Sequence, residues 1–197
     1  MIVAIEGLDG VGKTSVAKRL AEKLGFIYVE KPFSNVFQRD QMEKYMEIKK
    51  GLNLQQDRSL LAWFYGLNLL FGKDYYKNEN VVYDRFLVSN YSWILDEDNE
   101  FIFESMVKAV GVPDVTVLLT AHKEVVISRL KHRNAADKDL SKTQYMDRTL
   151  DNCRYLLTKY NIPYIEIDVS ELTIEEIANQ IFEMIKGGGS EQSSILG

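Results

Sequence analysis

The chain has 197 residues with a formal net charge of -5; 46% of the residues are hydrophobic and 27% are charged. These values are typical of one soluble globular domain and, without a dense basic run, they argue against a nucleic-acid polymer as partner. The single cysteine, Cys153, allows no internal disulfide, and no apolar stretch approaches the length of a membrane span. We therefore expect a cytoplasmic protein that is not embedded in a membrane.

Five short runs rich in Val, Ile, Leu and aromatic residues predict β-strands. They cover residues 2–6, 26–30, 80–84, 115–119 and 162–167. Because these runs are nearly continuous in apolar residues rather than alternating, they are typical of strands buried on both faces in a parallel sheet. Longer helical patterns separate the strands. This alternation predicts an α/β fold with a sheet covered by helices.

Apolar residues recur at helical spacing between the strands. One stripe consists of Leu60, Phe64, Leu67 and Phe71. Its helix is apolar almost all round, so we expect it to be central. Further stripes over residues 146–160 and 174–185 predict two more helices, the second opened by Thr173 and Glu176 at capping-box spacing. The segment 187–197 is predicted to be a flexible tail.

The first strand leads into the sequence GLDGVGKT at residues 7–14, which matches G-x-x-x-x-G-K-S/T at every fixed position. The motif follows a strand and precedes a helix, as a P-loop does. The predicted phosphate cradle consists of Gly7, Gly10, Val11, Gly12, Lys13, Thr14 and Ser15. In such a cradle Lys13 reaches the β- and γ-phosphates of ATP, and the Thr14 hydroxyl ligates Mg²⁺. An ordinary strand–turn–helix with a solvated lysine is the alternative, and motif and context together disfavour it.

The strand over residues 80–84 ends in Asp84, which Arg85 follows directly. The carboxyl ends of strands in an open α/β sheet gather where ligands bind, so we expect this pair beside the P-loop. There Asp84 could hold Mg²⁺ through water or orient an acceptor, and Arg85 could bind a second phosphate group. A local ion pair at a strand end is the alternative interpretation.

Four stretches in this order resemble the thymidylate kinase family. They are AIEGLDGVGKT at 4–14, VVYDRFLVSNYSW at 81–93, VPDVTVLL at 112–119 and RLKHR at 129–133. The resemblance implies a three-layer P-loop kinase domain over residues 1–186, with a five-stranded parallel sheet flanked by helices and a mobile lid. It also implies transfer of the γ-phosphoryl group of ATP to a deoxynucleoside monophosphate, dTMP above all. By the same resemblance Asp9 approaches the acceptor's sugar hydroxyl or phosphate, Arg85 binds the acceptor phosphate, and Ser89 lies near the base.

The lid is predicted near residues 133–142, a short polar segment between two helices. A cation that closes over the transferred group stabilises its developing charge and excludes water. Arg133 and Lys138 are the catalytic candidates, with Arg129 as a more scaffold-like option. Members of the resembled family carry a catalytic arginine either in the P-loop or in the lid. Since the P-loop position is Gly10 here, the resemblance implies that the lid supplies the cation.

The chain departs from the family pattern around the acceptor. The usual R-E-P-G-G after the second strand is VEKPFSN here, which keeps only Glu30 and Pro32. The family's arginine on the helix before Asp84 is missing, and Asn68 is the clearly polar residue of that helix segment. Aromatic candidates for a base pocket are Phe33, Phe37, Trp63, Phe64, Tyr65 and Tyr91. Glu30, Phe64 and Asn68 join the predicted substrate-binding residues.

Two alternatives to a monophosphate kinase therefore stay open. Deoxynucleoside kinases share the fold and also begin a loop with Glu and Pro, so the acceptor could be an uncharged nucleoside. A nucleotide-binding protein without acceptor activity is the second alternative, motivated by the missing arginines. The resembled family is commonly dimeric, and an apolar helix is compatible with a homodimer, although burial in the core accounts for such a helix equally well.

Overall fold

The computed structural model describes residues 1–30, 39–55, 57–96 and 98–191, without the side chains of 39–42 and 188–191. In that part of the chain, a five-stranded parallel sheet has the strand order β2-β3-β1-β4-β5. The strands are β1 (Ile2–Gly7), β2 (Ile27–Val29), β3 (Val81–Asp84), β4 (Val115–Thr120) and β5 (Tyr164–Asp168). Each overlaps one of the five predicted runs, and the predicted α/β sheet is confirmed.

Helices cover both faces of this sheet. They are α1 (Lys13–Leu24), α2 (Arg39–Asn53), α3 (Ser59–Tyr75), α4 (Val88–Tyr91), α5 (Glu100–Val110), α6 (Lys123–Arg133), α7 (Met146–Lys159) and α8 (Ile174–Glu191). A 3₁₀ helix over Lys138–Tyr145, here called the lid helix, joins α6 to α7. One apolar core lies between the sheet and α1, α6 and α8, and the other lies between the sheet and α3, α5 and α7. The predicted three-layer arrangement follows.

Local sequence explains the ends of several helices. Thr173 and Glu176 form the predicted capping box: the Thr173 amide donates to the Glu176 carboxylate at 2.8 Å, and the Glu176 amide donates to the Thr173 hydroxyl at 3.3 Å. Gly25 follows the last residue of α1, and its φ of 69° places it in the left-handed conformation common after helices. The sequence places the end of the domain at Lys186, but helix α8 continues to Glu191.

The expected core face of α3 is wrong. Leu60 and Leu67 from the predicted stripe are 57% and 55% exposed, whereas Leu61 and Leu69 are buried. Because nearly every position of this helix is apolar, periodicity does not mark a face, and the packing partners decide it. Helix α3 meets α5 at Gly66, where any added side-chain carbon would collide with Met106. The close approach at Gly66 orients the helix and leaves its other side at the surface.

Glu6 ties the first strand to the segment that follows β3. Its buried carboxylate accepts hydrogen bonds from the backbone amides of Phe86, Val88 and Ser89 at 3.2, 2.8 and 2.9 Å. The Ser89 hydroxyl adds a second connection, because it accepts from the Gly7 amide at 2.9 Å and donates to the Gly7 carbonyl at 3.2 Å. The P-loop and the Asp84-Arg85 segment are therefore fixed relative to each other.

The segment 31–38, with Pro32, Phe33 and Phe37, lies outside the described residues, as does 192–197. Among the described helices, none combines the length and the apolar composition needed to cross a membrane.

Removal of the Glu6 carboxylate tests this connection. We expect Glu6→Ala to lower the free energy of unfolding by about 3 kcal/mol, because three backbone amides lose their acceptor in a buried site. Urea denaturation followed by circular dichroism measures the change. Glu183→Ala on the exposed side of α8 is the control and should shift stability by less than about 0.5 kcal/mol. Equal midpoints for the two variants would contradict the assigned role.

Candidate active site

The P-loop curls between β1 and α1 in a conformation that only glycine adopts easily. Gly7 and Gly10 have φ angles of 137° and 89°. A side-chain carbon at Gly10 would also lie 2.9 Å from Val126 of α6, so α6 packs directly against the loop. Helix α1 begins at Lys13, and Thr14 and Ser15 form its exposed first turn. The loop and the helix N-terminus thus face the same space, which is how a phosphate cradle is built.

Lys13 is buried within the curl, where its ammonium donates to the Leu8 carbonyl. Burial lowers the pKa of Lys13 to about 7, with a further lowering from Arg85, while Asp9 and Asp84 offset part of the change. A lysine in this state gains strongly from a nearby anion, because negative charge favours its protonated form. The cradle is therefore electrostatically prepared for phosphate.

Asp84 lies at the end of β3, next to the first turn of α1. The Thr14 hydroxyl donates to one of its carboxylate oxygens at 2.5 Å, and the Tyr28 hydroxyl contacts the same oxygen at 3.4 Å. The other oxygen, Oδ1, is buried and has no hydrogen bond to any residue that the structure describes. A buried, unpartnered carboxylate oxygen beside a hydroxyl fits Mg²⁺, which prefers oxygen ligands.

The same site does not form a complete metal cage from protein alone. Over the described ranges, no group of three or more His, Cys, Asp or Glu side chains could enclose an ion. Mg²⁺ commonly takes one or two protein ligands and completes its octahedral shell with water and substrate phosphates. Thr14 and Asp84 suit that mode of binding.

Asp9 and Arg85 meet beside the cradle. The Arg85 guanidinium contacts Asp9 Oδ1, and the Arg85 amide donates to the Ile5 carbonyl at 3.0 Å. Arg85 has a φ of 72°, a left-handed conformation that costs a non-glycine residue about 1 kcal/mol. The amide bonds to Glu6 just after it hold the backbone there. The strain is the cost of aiming this guanidinium at the P-loop.

Asp9 is a strongly ionised carboxylate in spite of its position. Burial alone would raise its pKa, but the charges of Arg85, Lys13 and Lys142 outweigh that effect and hold the pKa of Asp9 well below its usual range. The carboxylate is therefore negative at neutral pH. It serves as the anchor on which the surrounding cations assemble.

Lys142 is the site residue that the sequence interpretation missed. Its ammonium contacts Asp9 Oδ2 at 2.9 Å and Asp139 at 2.7 Å, and it lies 5.5 Å from the centre of the Trp93 ring. Lys142 is the last residue of the polar lid segment and stands four residues after Lys138. Its positive charge within that segment is the signal in the sequence that could have made it a candidate.

The predicted lid cations occupy different positions. Arg133 pairs with Asp137 at 2.5 Å and Asp139 at 2.8 Å and holds the lid helix against α6. It does not line the cavity described below, whereas Lys138 does. Arg129 connects the P-loop to the end of β5. Its guanidinium donates to the Val11 carbonyl at 3.3 Å and to the carbonyl of Val169, the residue after β5, at 2.8 Å.

A cavity of about 550 Å³ opens beside Asp9 at the carboxyl ends of the strands. Its charged lining consists of Lys49, Arg58, Arg85, Lys138 and Lys142 with Asp9, Glu30, Asp84 and Asp139. Its aromatic lining consists of Tyr45, Tyr65, Trp93 and Tyr145. The space is large enough for a nucleoside or a nucleotide. It adjoins the cradle through Asp9 of the P-loop and through Asp84, which contacts Thr14.

Of the predicted base-pocket aromatics, Tyr65 lines the cavity and Phe64 does not. Phe64 stacks on Tyr45 with ring centres 5.0 Å apart, behind the cavity wall. Trp63 is 41% exposed, and the buried Tyr91 donates its hydroxyl to the α3 backbone at 2.8 Å. The expectation that Phe64 touches the acceptor is therefore corrected: Tyr45 stands between the two.

Ser89 and Asn68 lie on the cavity wall, but their polar groups have protein partners. The Ser89 hydroxyl bonds to both backbone groups of Gly7. The Asn68 amide donates to the Phe64 carbonyl at 2.9 Å, and its side-chain oxygen accepts from Tyr45 at 3.1 Å. Both side chains consequently shape the wall. The contacts to Gly7 and Tyr45, which the sequence does not reveal, occupy part of the hydrogen-bonding capacity of these two side chains.

The chain is similar to known proteins over nearly its whole length. Residues 5–181 match the family model described as thymidylate kinase. A probable thymidylate kinase from Methanocaldococcus jannaschii is 27% identical over 192 residues, which cover 94% of this chain and 96% of that protein. A putative adenylate kinase from Pyrococcus furiosus is 30% identical over 197 residues, which cover 100% of this chain and 90% of that protein.

Solved structures share the same fold. The structure of deoxyadenosine kinase from M. mycoides with the products dCMP and a flexible dCDP matches with a TM-score of 0.68 and 20% identity, covering 95% of this chain and 100% of that one. A second structure of that enzyme, with bound dATP, has a TM-score of 0.65. At this level of identity the likeness concerns the fold, a three-layer α/β kinase fold.

The family model covers far more than half of the chain, including the P-loop, Asp84 and Arg85 and the lid helix. The geometry of the cradle agrees with the phosphate chemistry of that family. The chain is a nucleotide kinase and belongs to the thymidylate kinase family.

Proposed function

We propose that the protein transfers the γ-phosphoryl group of ATP to a deoxynucleoside monophosphate, with dTMP to dTDP as the favoured reaction and Mg²⁺ as the cofactor. The observation that carries this proposal is the Asp9–Arg85 contact, which joins the cradle to the cation-lined cavity. Direct transfer requires donor and acceptor to meet without an intervening wall. Asp9, shared by the two spaces, marks that meeting point.

The residues of the chain divide the work of the reaction. The P-loop amides and Lys13 hold the β- and γ-phosphates of the donor, and Arg85 holds the phosphate of the acceptor. Thr14 and Asp84 would bind Mg²⁺, which supplies neutralising charge to the phosphate oxygens when bound. Lys138, on the lid helix, stabilises the charge that develops on the transferred group. No covalent intermediate with the protein is needed.

A deoxynucleoside acceptor is the second candidate. The absence of an arginine on α3 favours it, because this helix lines the cavity without a cation beyond Arg58 at its start. The charge of the cavity lining favours a phosphorylated acceptor: five cations face four carboxylates, and Asp84 among the latter is suited to a metal ion. The relatives called adenylate kinases make AMP a third acceptor to compare.

An acceptor panel tests the proposed reaction. We expect ADP release to be fastest with dTMP, slower with AMP and slowest with thymidine, because the cavity offers its cations to a phosphate. A coupled assay at saturating MgATP measures the three rates. Preferred turnover of thymidine would replace the proposal by the nucleoside kinase, and a rate independent of every acceptor would remove both.

Replacement of the cradle lysine tests the donor site. We expect Lys13→Ala to lower kcat/KM by at least about 10²-fold, because a buried cation next to the transferred phosphate is lost. Lys108→Ala on the surface of α5 is the matched control and should leave the rate unchanged. Activity of Lys13→Ala equal to that of Lys108→Ala would show that Lys13 is not part of the cradle.

The lowered pKa of Lys13 predicts proton uptake on donor binding. With a pKa of about 7, Lys13 is mostly neutral at pH 8, and bound phosphates raise the pKa above that pH. We expect MgATP to bind with uptake of about one proton at pH 8, seen when the calorimetric enthalpy is compared across buffers of different ionisation enthalpy. Lys13→Arg, whose guanidinium does not titrate, should abolish the uptake. Binding of MgATP to the unsubstituted protein without uptake would contradict the lowered pKa.

A further inference from the structure

Lys142 is a charged residue at the centre of the site that no family pattern in the sequence accounts for. It belongs to the lid helix, yet its ammonium reaches across to the P-loop and contacts Asp9 Oδ2 at 2.9 Å. Arg85 contacts the other oxygen of the same carboxylate. The two cations thus stand on either side of Asp9, both on the lining of the cavity.

We propose that Lys142 and Arg85 together form the seat for the acceptor's phosphate group, and that Lys142 takes over the task of the arginine missing from α3. This inference rests on the proposed function and names the residues that select a phosphorylated acceptor. The lid therefore contributes to the binding of the acceptor as well as to closure over the donor.

Hydrogen-bonding capacity supports this assignment. An ammonium has three donors, and Lys142 uses two of them on Asp9 and Asp139. A guanidinium has five, and Arg85 contacts Asp9 through one terminal nitrogen. Because both cations bind one carboxylate, their separation is no larger than one phosphate group can bridge with a hydrogen bond on each side. A phosphate that bridges them from the cavity side would accept from donors that Asp9 does not use and leave the contacts to Asp9 in place.

The surroundings of Lys142 fix its position and its charge. The buried carboxylate of Asp139 holds the ammonium at 2.7 Å, and the ring of Trp93 lies beneath it. Arg133 binds the same Asp139 and so ties this arrangement to the end of α6. Burial alone would lower the pKa of Lys142, but Asp9 and Asp139 raise it, so the side chain is a cation at neutral pH. A fixed cation of this kind is suited to recognise a phosphate.

Glu30 and Asp84 are the other carboxylates on the cavity lining. Asp84 contacts Thr14 and lies on the donor side. Tyr28 lies beside both Glu30 and Asp84. Asp9 and Asp139 are the carboxylates that contact Lys142. An incoming phosphate therefore meets their negative charge at this seat, and each already has cations bound to it.

Equilibrium binding of two ligands that differ only in the phosphate tests the proposal. Thymidine and dTMP are titrated by calorimetry, without donor nucleotide, into the unsubstituted protein, Lys142→Met and Lys142→Arg. We expect dTMP to bind the unsubstituted protein more tightly than thymidine, and Lys142→Met to weaken dTMP about 10- to 30-fold while thymidine changes less than about threefold. Lys142→Arg should retain most of the preference because the charge is kept.

Lys77→Met is the matched control. Lys77 precedes β3 at the amino ends of the strands, on the opposite edge of the sheet, and its side chain is largely exposed. It should leave the affinities for both ligands unchanged. Thymidine binding also shows that Lys142→Met is folded, since both ligands use the same cavity.

Three results would overturn the inference. They are equal affinity of the unsubstituted protein for dTMP and thymidine, an unchanged affinity ratio in Lys142→Met, or equal weakening of both ligands by that variant. The proposed function fails in a different way, when dTMP binds with the expected dependence on Lys142 but no phosphoryl transfer from ATP to dTMP is observed. The two ideas are thereby separated by a binding measurement and a turnover measurement.

Discussion

The buried carboxylate of Glu6 is the constraint on which the site depends. By accepting hydrogen bonds from three backbone amides of the segment after β3, it fixes that segment against the end of β1. The backbone of Arg85 is then held in a left-handed conformation that it would otherwise avoid. The guanidinium consequently points at Asp9 of the P-loop. One interior acceptor thus determines how the donor cradle and the acceptor cavity are placed relative to each other.

Electrostatics at this edge of the sheet follows from that placement. Placing the buried Lys13 beside the partly buried Asp9 and Arg85 is costly unless each has a partner. Asp9 and Arg85 pair with each other, and Lys13 donates to the Leu8 carbonyl. The compensation is incomplete at Lys13, whose pKa falls to about 7, and at Asp84, which keeps one oxygen without a partner among the described residues. These two deficits match an anion and a cation, the phosphate and the metal of a nucleotide complex. Lys13 and Asp84 are already held in position before a nucleotide binds, which reduces the reorganisation that the reaction requires.

The sequence predicts what local patterns encode and misses what long-range contacts decide. The strands and the P-loop follow from contiguous residues, and the strand end at Asp84 places the next residue at the ligand edge. The exposed face of α3 was not predictable because an evenly apolar helix carries no periodic signal. The Ser89 hydroxyl is hydrogen-bonded to Gly7, 82 positions away in the chain, and no local pattern indicates such a bond. Lys142 was missed because its place depends on the turn of a 3₁₀ helix, where a shift of one residue rotates a side chain by about 120°.

A phosphate seat that is shared between the lid and the segment after β3 has a consequence for the order of the reaction. If Lys142 belongs to the seat, an acceptor phosphate interacts fully only when the lid helix is in place, so acceptor affinity and lid position are thermodynamically linked. An arginine on α3 would bind the acceptor independently of the lid. A cation on the lid in place of one on a packed helix would then couple recognition of the acceptor's phosphate to exclusion of water from the donor. An acceptor without a phosphate would gain nothing from that coupling, so selectivity would arise from the lid itself.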